Sequence, residues 1–261
     1  MIRLEALTRA FDRWGVPHDG GRDVVAGRPG VFMPAWVMDH HTASDPDDGP
    51  APSRHVVRAG RSDLQGPLCN ILVRRDFRVE IVSLGKANHA GKGQWQAIPR
   101  DNGNAYALGI EIEHCGTAAE PWSPEFLAFC DLVNVACCEA LGVQAASIVA
   151  HKEYAPTRKI DPFEWQMDVR RDMARRILRA GPQPRGDDDM QTTDKLPLGA
   201  GSAEVLGDAD KVITVGEALV IAAASGKATE ALTREMLAEI RGLREDLRAR
   251  GGVGTEPGAQ Q

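Results

Sequence analysis

The stretch WVMDHHTAS, residues 36–44, ends an apolar run on two adjacent histidines, His40 and His41. A second apolar run, SIVAH, ends on His151, and Asp161 follows ten residues later in TRKIDP. Two histidines and a carboxylate are the usual protein ligands of a hydrolytic zinc site, whose fourth position stays open for water. The three candidates can converge if their strands are neighbours, although their spacing matches no compact metal motif. Otherwise the histidines are ordinary loop or core residues and Asp161 is the turn-forming residue of an Asp-Pro pair.

A further pair of carboxylates stands on the strand ALGIEIEH, residues 107–114. Alternation puts Leu108, Ile110 and Ile112 on one face and Gly109, Glu111 and Glu113 on the other. On a solvated face two glutamates need no partner. In an internal strand their burial is costly without one. A metal-bound water would give Glu111 that partner, and hydrolysis at a metal needs such a base.

Several elements must position these groups. Leu4, Leu7, Phe11 and Trp14 form an apolar helical stripe that stops at Gly15. LCNILVRR and FRVEIVSL read as neighbouring strands of a hairpin. In WSPEFLAFCDLVNVACCEALG, Ser123 is the expected N-cap, Pro124 the first helical residue and Gly142 the stop. That helix is too apolar for a surface position and is expected against the sheet. A last helix, FEWQMDVRRDMARRILRAG, places Trp165, Val169, Met173 and Ile177 on one side. Strands interleaved with helices predict an α/β domain, a central mixed β-sheet flanked by helices.

Residues 181–202 concentrate Gly, Pro and acid and predict a linker, so the first domain is expected over residues 1–180. Residues 203–250 are helical in composition, with Met236, Ile240, Leu243 and Leu247 in a seam too short for a coiled coil. This C-terminal helical appendage is expected to form a homo-oligomer or to bind the wall, and residues 251–261 to be a disordered tail. Residues 186–261 carry 14 acidic and 8 basic side chains, which accounts for the whole net charge of −6. The neutral remainder lacks the basic surplus of a nucleic-acid footprint. No run is long enough to span a membrane, and MIRLEALTRAFDRWG is amphipathic rather than a leader, which predicts a product made without a signal peptide. Five cysteines without a CxxC pair are expected to be free, buried thiols.

WVMDHHTAS, GRSDLQGPL, KANHAG, GNAYALGIEIEHCGT and VAHKEYAPTRKIDP, in that order, strongly resemble the zinc-dependent N-acetylmuramoyl-L-alanine amidase domain over roughly residues 25–180. The fold implied is that of type 2 amidases and peptidoglycan recognition proteins. The likeness is greatest to endolysins of phages that infect actinobacteria. It implies Zn2+ held by His40, His151 and Asp161, with His41 left to packing or a hydrogen bond. It makes Glu111 the residue that orients and deprotonates the water, Lys159 the cation that stabilises the oxyanion, and His89 a histidine near the substrate groove. Some relatives carry an assisting tyrosine in the hairpin region, which this chain lacks around LCNILV, and that shifts the burden to Glu111. Asp39 departs from the apolar residue usual before the histidines, and a contact behind the ligands is its expected role.

The resemblance implies cleavage of the amide between N-acetylmuramic acid and L-alanine in bacterial peptidoglycan. An endolysin would wait in the host cytoplasm until lysis and then act on the cell wall. The rival from another class is a non-catalytic peptidoglycan-binding protein of the same fold, which typically lacks a zinc ligand.

Overall fold

The computed structural model describes residues 2–182. The expected linker beyond residue 182, the segment 203–250 and the tail 251–261 lie outside the described residues.

Helix α1 (Leu4–Arg13) buries Leu7, Ala10 and Phe11, with Trp14 buried just past its end. Strand β1 (Trp36–His41) leads to helix α2 (Arg54–Ala59) and a small ribbon of β2 (Gly60–Arg61) and β3 (Leu64–Gln65). Strands β4 (Ile71–Arg74) and β5 (Arg78–Ile81) form the expected antiparallel hairpin. A short helix α3 (Gly103–Tyr106) runs into β6 (Ala107–Ile112), and helix α4 (Pro124–Leu141) is followed by β7 (Ile148–Ala150). His151 begins the short helix α5 (His151–Tyr154), and α6 (Met167–Ala180) closes the described chain.

The main sheet has the order β5-β4-β6-β1-β7. Only β5 runs antiparallel to its neighbour, so the sheet is mixed and flanked by helices. One face, with Val37 and Asp39 of β1, meets α4, whose Asn134 Nδ2 donates to Asp39 Oδ2 at 3.0 Å. Helix α1 is tied to α4 as well, since Trp14 Nε1 donates to Glu139 Oε2 at 2.7 Å.

Helix α4 starts and stops on local signals. Ser123 Oγ accepts the Phe126 N–H at 3.1 Å, Pro124 fills the first turn, and Gly142 leaves the helix in the left-handed region at φ 68°. Nearly all of Phe126–Cys138 is buried, as expected for a helix against the sheet. Its inward Asp131 is pushed up to about 7 by burial, opposed by Arg170 of α6, which donates to its Oδ2 at 2.8 Å.

Helix α6 differs from the expected stripe. It begins after Trp165, its buried residues are Met167 and Ala174, and Val169 is exposed. Arg170 and Arg171 reach inward to Asp131 and Glu153, so two charged side chains occupy positions that hydropathy assigns to solvent. Four of the five cysteines are buried free thiols, and Cys115 is the partly exposed exception.

Candidate metal centre

Strand register builds the site. In the parallel pair β1 and β6, His40 lies beside Glu111 and Met38 beside Gly109. In the parallel pair β1 and β7, Asp39 lies beside Ala150, so the next residue on each strand brings His40 level with His151. His40, Glu111 and His151 therefore form one row across three strands at their carboxyl ends, where open α/β sheets place their sites. The loop after α5 returns Asp161 to that row, with the Lys152 N–H donating to its carbonyl at 2.8 Å.

His40, His151 and Asp161 are all buried, at 1%, 1% and 6% exposure. Their ligand atoms converge: the two Nδ1 atoms are 2.8 Å apart, and Asp161 Oδ2 is 3.2 Å from His40 Nδ1 and 2.9 Å from His151 Nδ1. The outward nitrogens decide the tautomers. His151 Nε2 lies 2.8 Å from the Ala90 carbonyl, which only accepts, so Nε2 carries the proton and Nδ1 presents a lone pair. His89 Nε2 faces the Ala107 carbonyl at 3.3 Å, which leaves its Nδ1 as an acceptor for the His40 Nε2–H at 3.0 Å. His40 Nδ1 thus also presents a lone pair.

Two lone pairs and a carboxylate oxygen facing one another in a buried space repel unless a cation lies among them. A divalent metal with N and O ligands fits that donor set, and three protein ligands leave one tetrahedral position open. The charge states agree with this. Burial and the neighbouring His151 push His40 down to about 4, and burial holds His89 well below the ordinary histidine value, so both rings are neutral near pH 7.

Glu111 is partly exposed, yet its Oε2 is enclosed and has no hydrogen-bond partner. Burial, with the charge of Asp161 added to it, pushes this carboxyl up to about 8, while Lys159 pulls it down. Lys159 is 37% exposed, with Nζ 4.0 Å from Asp161 Oδ1. Glu113, on the same strand face, is fully buried. Its oxygens accept from Thr42 Oγ1 at 2.9 Å, Ser44 Oγ at 2.6 Å, and Ser53 N and Oγ at 2.9 and 3.1 Å.

The other residues singled out in the sequence fall as follows. His41 points to the opposite face from His40, and its Nδ1 accepts the Phe163 N–H at 3.0 Å. Asp39 shares that opposite face and is bonded to α4, not to the ligands. Burial raises its pKa well above the ordinary value. His89 is 8% exposed and stands behind His40. That position was hidden in the sequence, but Gly109 is its trace: a glycine inside a strand marks a close approach, and a Cβ there would lie 2.5 Å from the His89 ring.

A second group, His114, Cys115 and Glu120, also clusters. Arg75 clasps Glu120 there at 2.7 and 3.1 Å, and His114 Nδ1 accepts the Gly116 N–H while its ring stacks 3.6 Å from Trp122, which leaves His114 Nε2 buried without a hydrogen-bond partner.

The chain is 33% identical over 101 residues to the 1,6-anhydro-N-acetylmuramyl-L-alanine amidase AmpD of Haemophilus influenzae, across 36% of this chain and 53% of that protein. It thus spans about half the length of that curated relative. Among solved structures, a selenomethionine derivative of AmpD aligns with a TM-score of 0.44 at 20% identity, covering 60% of this chain and 93% of that one. The Escherichia coli N-acetylmuramyl-L-alanine amidase AmiD, in complex with the substrate anhydro-N-acetylmuramic acid-L-Ala-D-gamma-Glu-L-Lys, gives 0.41 at 22%, covering 56% and 60%. The Clostridium intestinale endolysin LysCS gives 0.41 at 14%, covering 58% and 94%. The family model for N-acetylmuramoyl-L-alanine amidase matches residues 32–164, just over half of the chain. Because that match takes in His40, His89, Glu111, His151, Lys159 and Asp161 together, the chain belongs to the N-acetylmuramoyl-L-alanine amidase family.

Proposed function

We propose that this protein is a zinc-dependent N-acetylmuramoyl-L-alanine amidase that hydrolyses the bond between the lactyl group of N-acetylmuramic acid and L-alanine in peptidoglycan. The observation that carries the reading is the convergence of two imidazole lone pairs and one carboxylate oxygen on the row that holds Glu111, whose Oε2 is enclosed without a hydrogen-bond partner. His40, His151 and Asp161 would hold the ion. Zinc in such a site supplies Lewis acidity toward the carbonyl and lowers the pKa of water to roughly 7.

The chain's own groups do the rest. Glu111 accepts a proton from the attacking water and returns it to the departing amine of L-alanine, so that the amide C–N bond breaks with a neutral amine leaving. Lys159, partly exposed beside Asp161, offsets the negative charge that grows on the carbonyl oxygen during attack. A low-dielectric floor of buried strand residues strengthens both effects.

The full ligand set and the available base favour this reading over a module that only binds peptidoglycan. An endolysin of a phage of actinobacteria is the proposed biological setting, supported by the motif blocks from WVMDHHTAS to TRKIDP. In that setting the protein reaches the wall from the host cytoplasm at lysis. No described helix is long and apolar enough to cross a membrane.

The experiment is metal analysis paired with wall hydrolysis. His40→Ala, His151→Ala and Asp161→Ala should each lose zinc and activity, whereas His41→Ala keeps most of its metal because its ring faces the other side of the sheet. Zinc retained in His40→Ala and lost in His41→Ala would reverse the choice within the pair.

A further inference from the structure

The outward nitrogens of the two histidines end on consecutive residues of one loop. His151 Nε2 donates to the carbonyl of Ala90 at 2.8 Å, and His40 Nε2 donates to the side chain of His89 at 3.0 Å. That loop is pinned from two sides. Asn104 Oδ1 accepts the backbone N–H of His89 at 2.9 Å and of Ala90 at 2.8 Å, and Arg158 Nη2 donates to the Ala90 carbonyl at 2.9 Å.

The two partners differ in kind. A backbone carbonyl accepts whatever its side chain is, so the tautomer of His151 is secured by the fold. The tautomer of His40 depends on a side chain with two nitrogens, and His89 is an acceptor at Nδ1 only because its Nε2 is held by the Ala107 carbonyl at 3.3 Å. The ring fits there because residue 109 of the central strand has no side chain: a Cβ at Gly109 would come within 2.5 to 2.8 Å of three ring atoms of His89. His89 meets His40 edge-on, with ring centroids 5.1 Å apart and planes at 86°, the geometry of a directed N–H bond rather than a stacked pair.

We propose that His89 is a positioning residue for the metal centre: it fixes His40 as the tautomer whose Nδ1 lone pair faces Asp161 and His151, and Gly109 exists to admit its ring. This deepens the metal reading above and rests on it. It also moves His89 from the substrate groove to the support behind a ligand. Partners of this kind typically change metal affinity by about 10- to 100-fold when removed.

The test measures zinc affinity by competition with a chromophoric chelator, and the visible spectrum of the cobalt-substituted protein, in four variants. His89→Leu, which has no acceptor, should bind zinc about 10- to 100-fold more weakly and alter the cobalt spectrum. His89→Asn should recover most of the loss, because its amide oxygen can stand near the place of Nδ1. Gly109→Ala should reproduce the defect with His89 intact, and Gly109→Ala combined with His89→Leu should be no worse than His89→Leu alone. Wild-type affinity in both His89→Leu and Gly109→Ala would overturn the proposal. So would His89→Asn binding as poorly as His89→Leu, which would make the residue mere packing. A raised KM with unchanged metal affinity would return His89 to the substrate groove. If His89→Leu does not fold, Gly109→Ala decides alone, and unchanged affinity there overturns the idea. Wild-type protein that binds no zinc would instead defeat the metal reading itself.

Discussion

Glu111 and Glu113 lie two residues apart on one strand face, and their surroundings assign them different work. Glu113 accepts hydrogen bonds from Thr42, Ser44 and Ser53 and so fastens the loop after β1. Glu113→Leu should leave those donors unpaired and cost on the order of 3 kcal/mol, read by urea unfolding, and the surviving folded protein should still bind zinc. Glu111 has an enclosed oxygen with no partner and is pushed up to about 8 by burial. Only its ionised form can accept a proton, so activity falls as pH drops through its pKa. A bound dication lowers that pKa, which places the acidic limb of the rate profile below about 8. Glu111→Gln should hold stoichiometric zinc, lose activity by on the order of a hundredfold or more, and lack that limb. Full activity in Glu111→Gln would move the base to another residue.

Elements were legible in the sequence where their signals are local. Helix α4 carries its cap, its first-turn proline and its terminal glycine within its own residues, and Ser123→Ala should cost about 1 kcal/mol in thermal or urea unfolding by leaving the Phe126 N–H without its acceptor. The alternation of β6 and the apolar runs into His40 and His151 were readable for the same reason, and they put three of the candidate residues on one row. Short elements such as α2, α3, α5 and the β2–β3 ribbon run for six residues or fewer, too few to show a period. The stripe expected on α6 fails at Val169 because Arg170 and Arg171 turn inward to carboxylates contributed by α4 and α5, which only tertiary contact reveals. The position of His89 behind His40 depends on its loop passing close over Gly109 and has no signature in spacing.

At the scale of the whole chain, the full net charge of −6 falls in residues 186–261, while the site and its fold lie within residues 2–182. We propose that residues 203–250 serve self-association or wall binding and take no part in bond cleavage. Truncation after Ala180, where α6 ends, should leave a folded, zinc-loaded protein that cuts soluble muropeptides as before, and that sediments as a smaller species or works less well on intact walls. Equal oligomeric state and equal wall binding in both forms would remove any role for that segment. The central claim concerns which bond is cut, and the direct measurement is digestion of purified peptidoglycan followed by identification of the newly exposed groups. The expected result is free amino-terminal L-alanine with no new reducing sugar ends, abolished by a zinc chelator and restored by added zinc. New reducing ends, a different amino terminus, or cleavage indifferent to the chelator would contradict it.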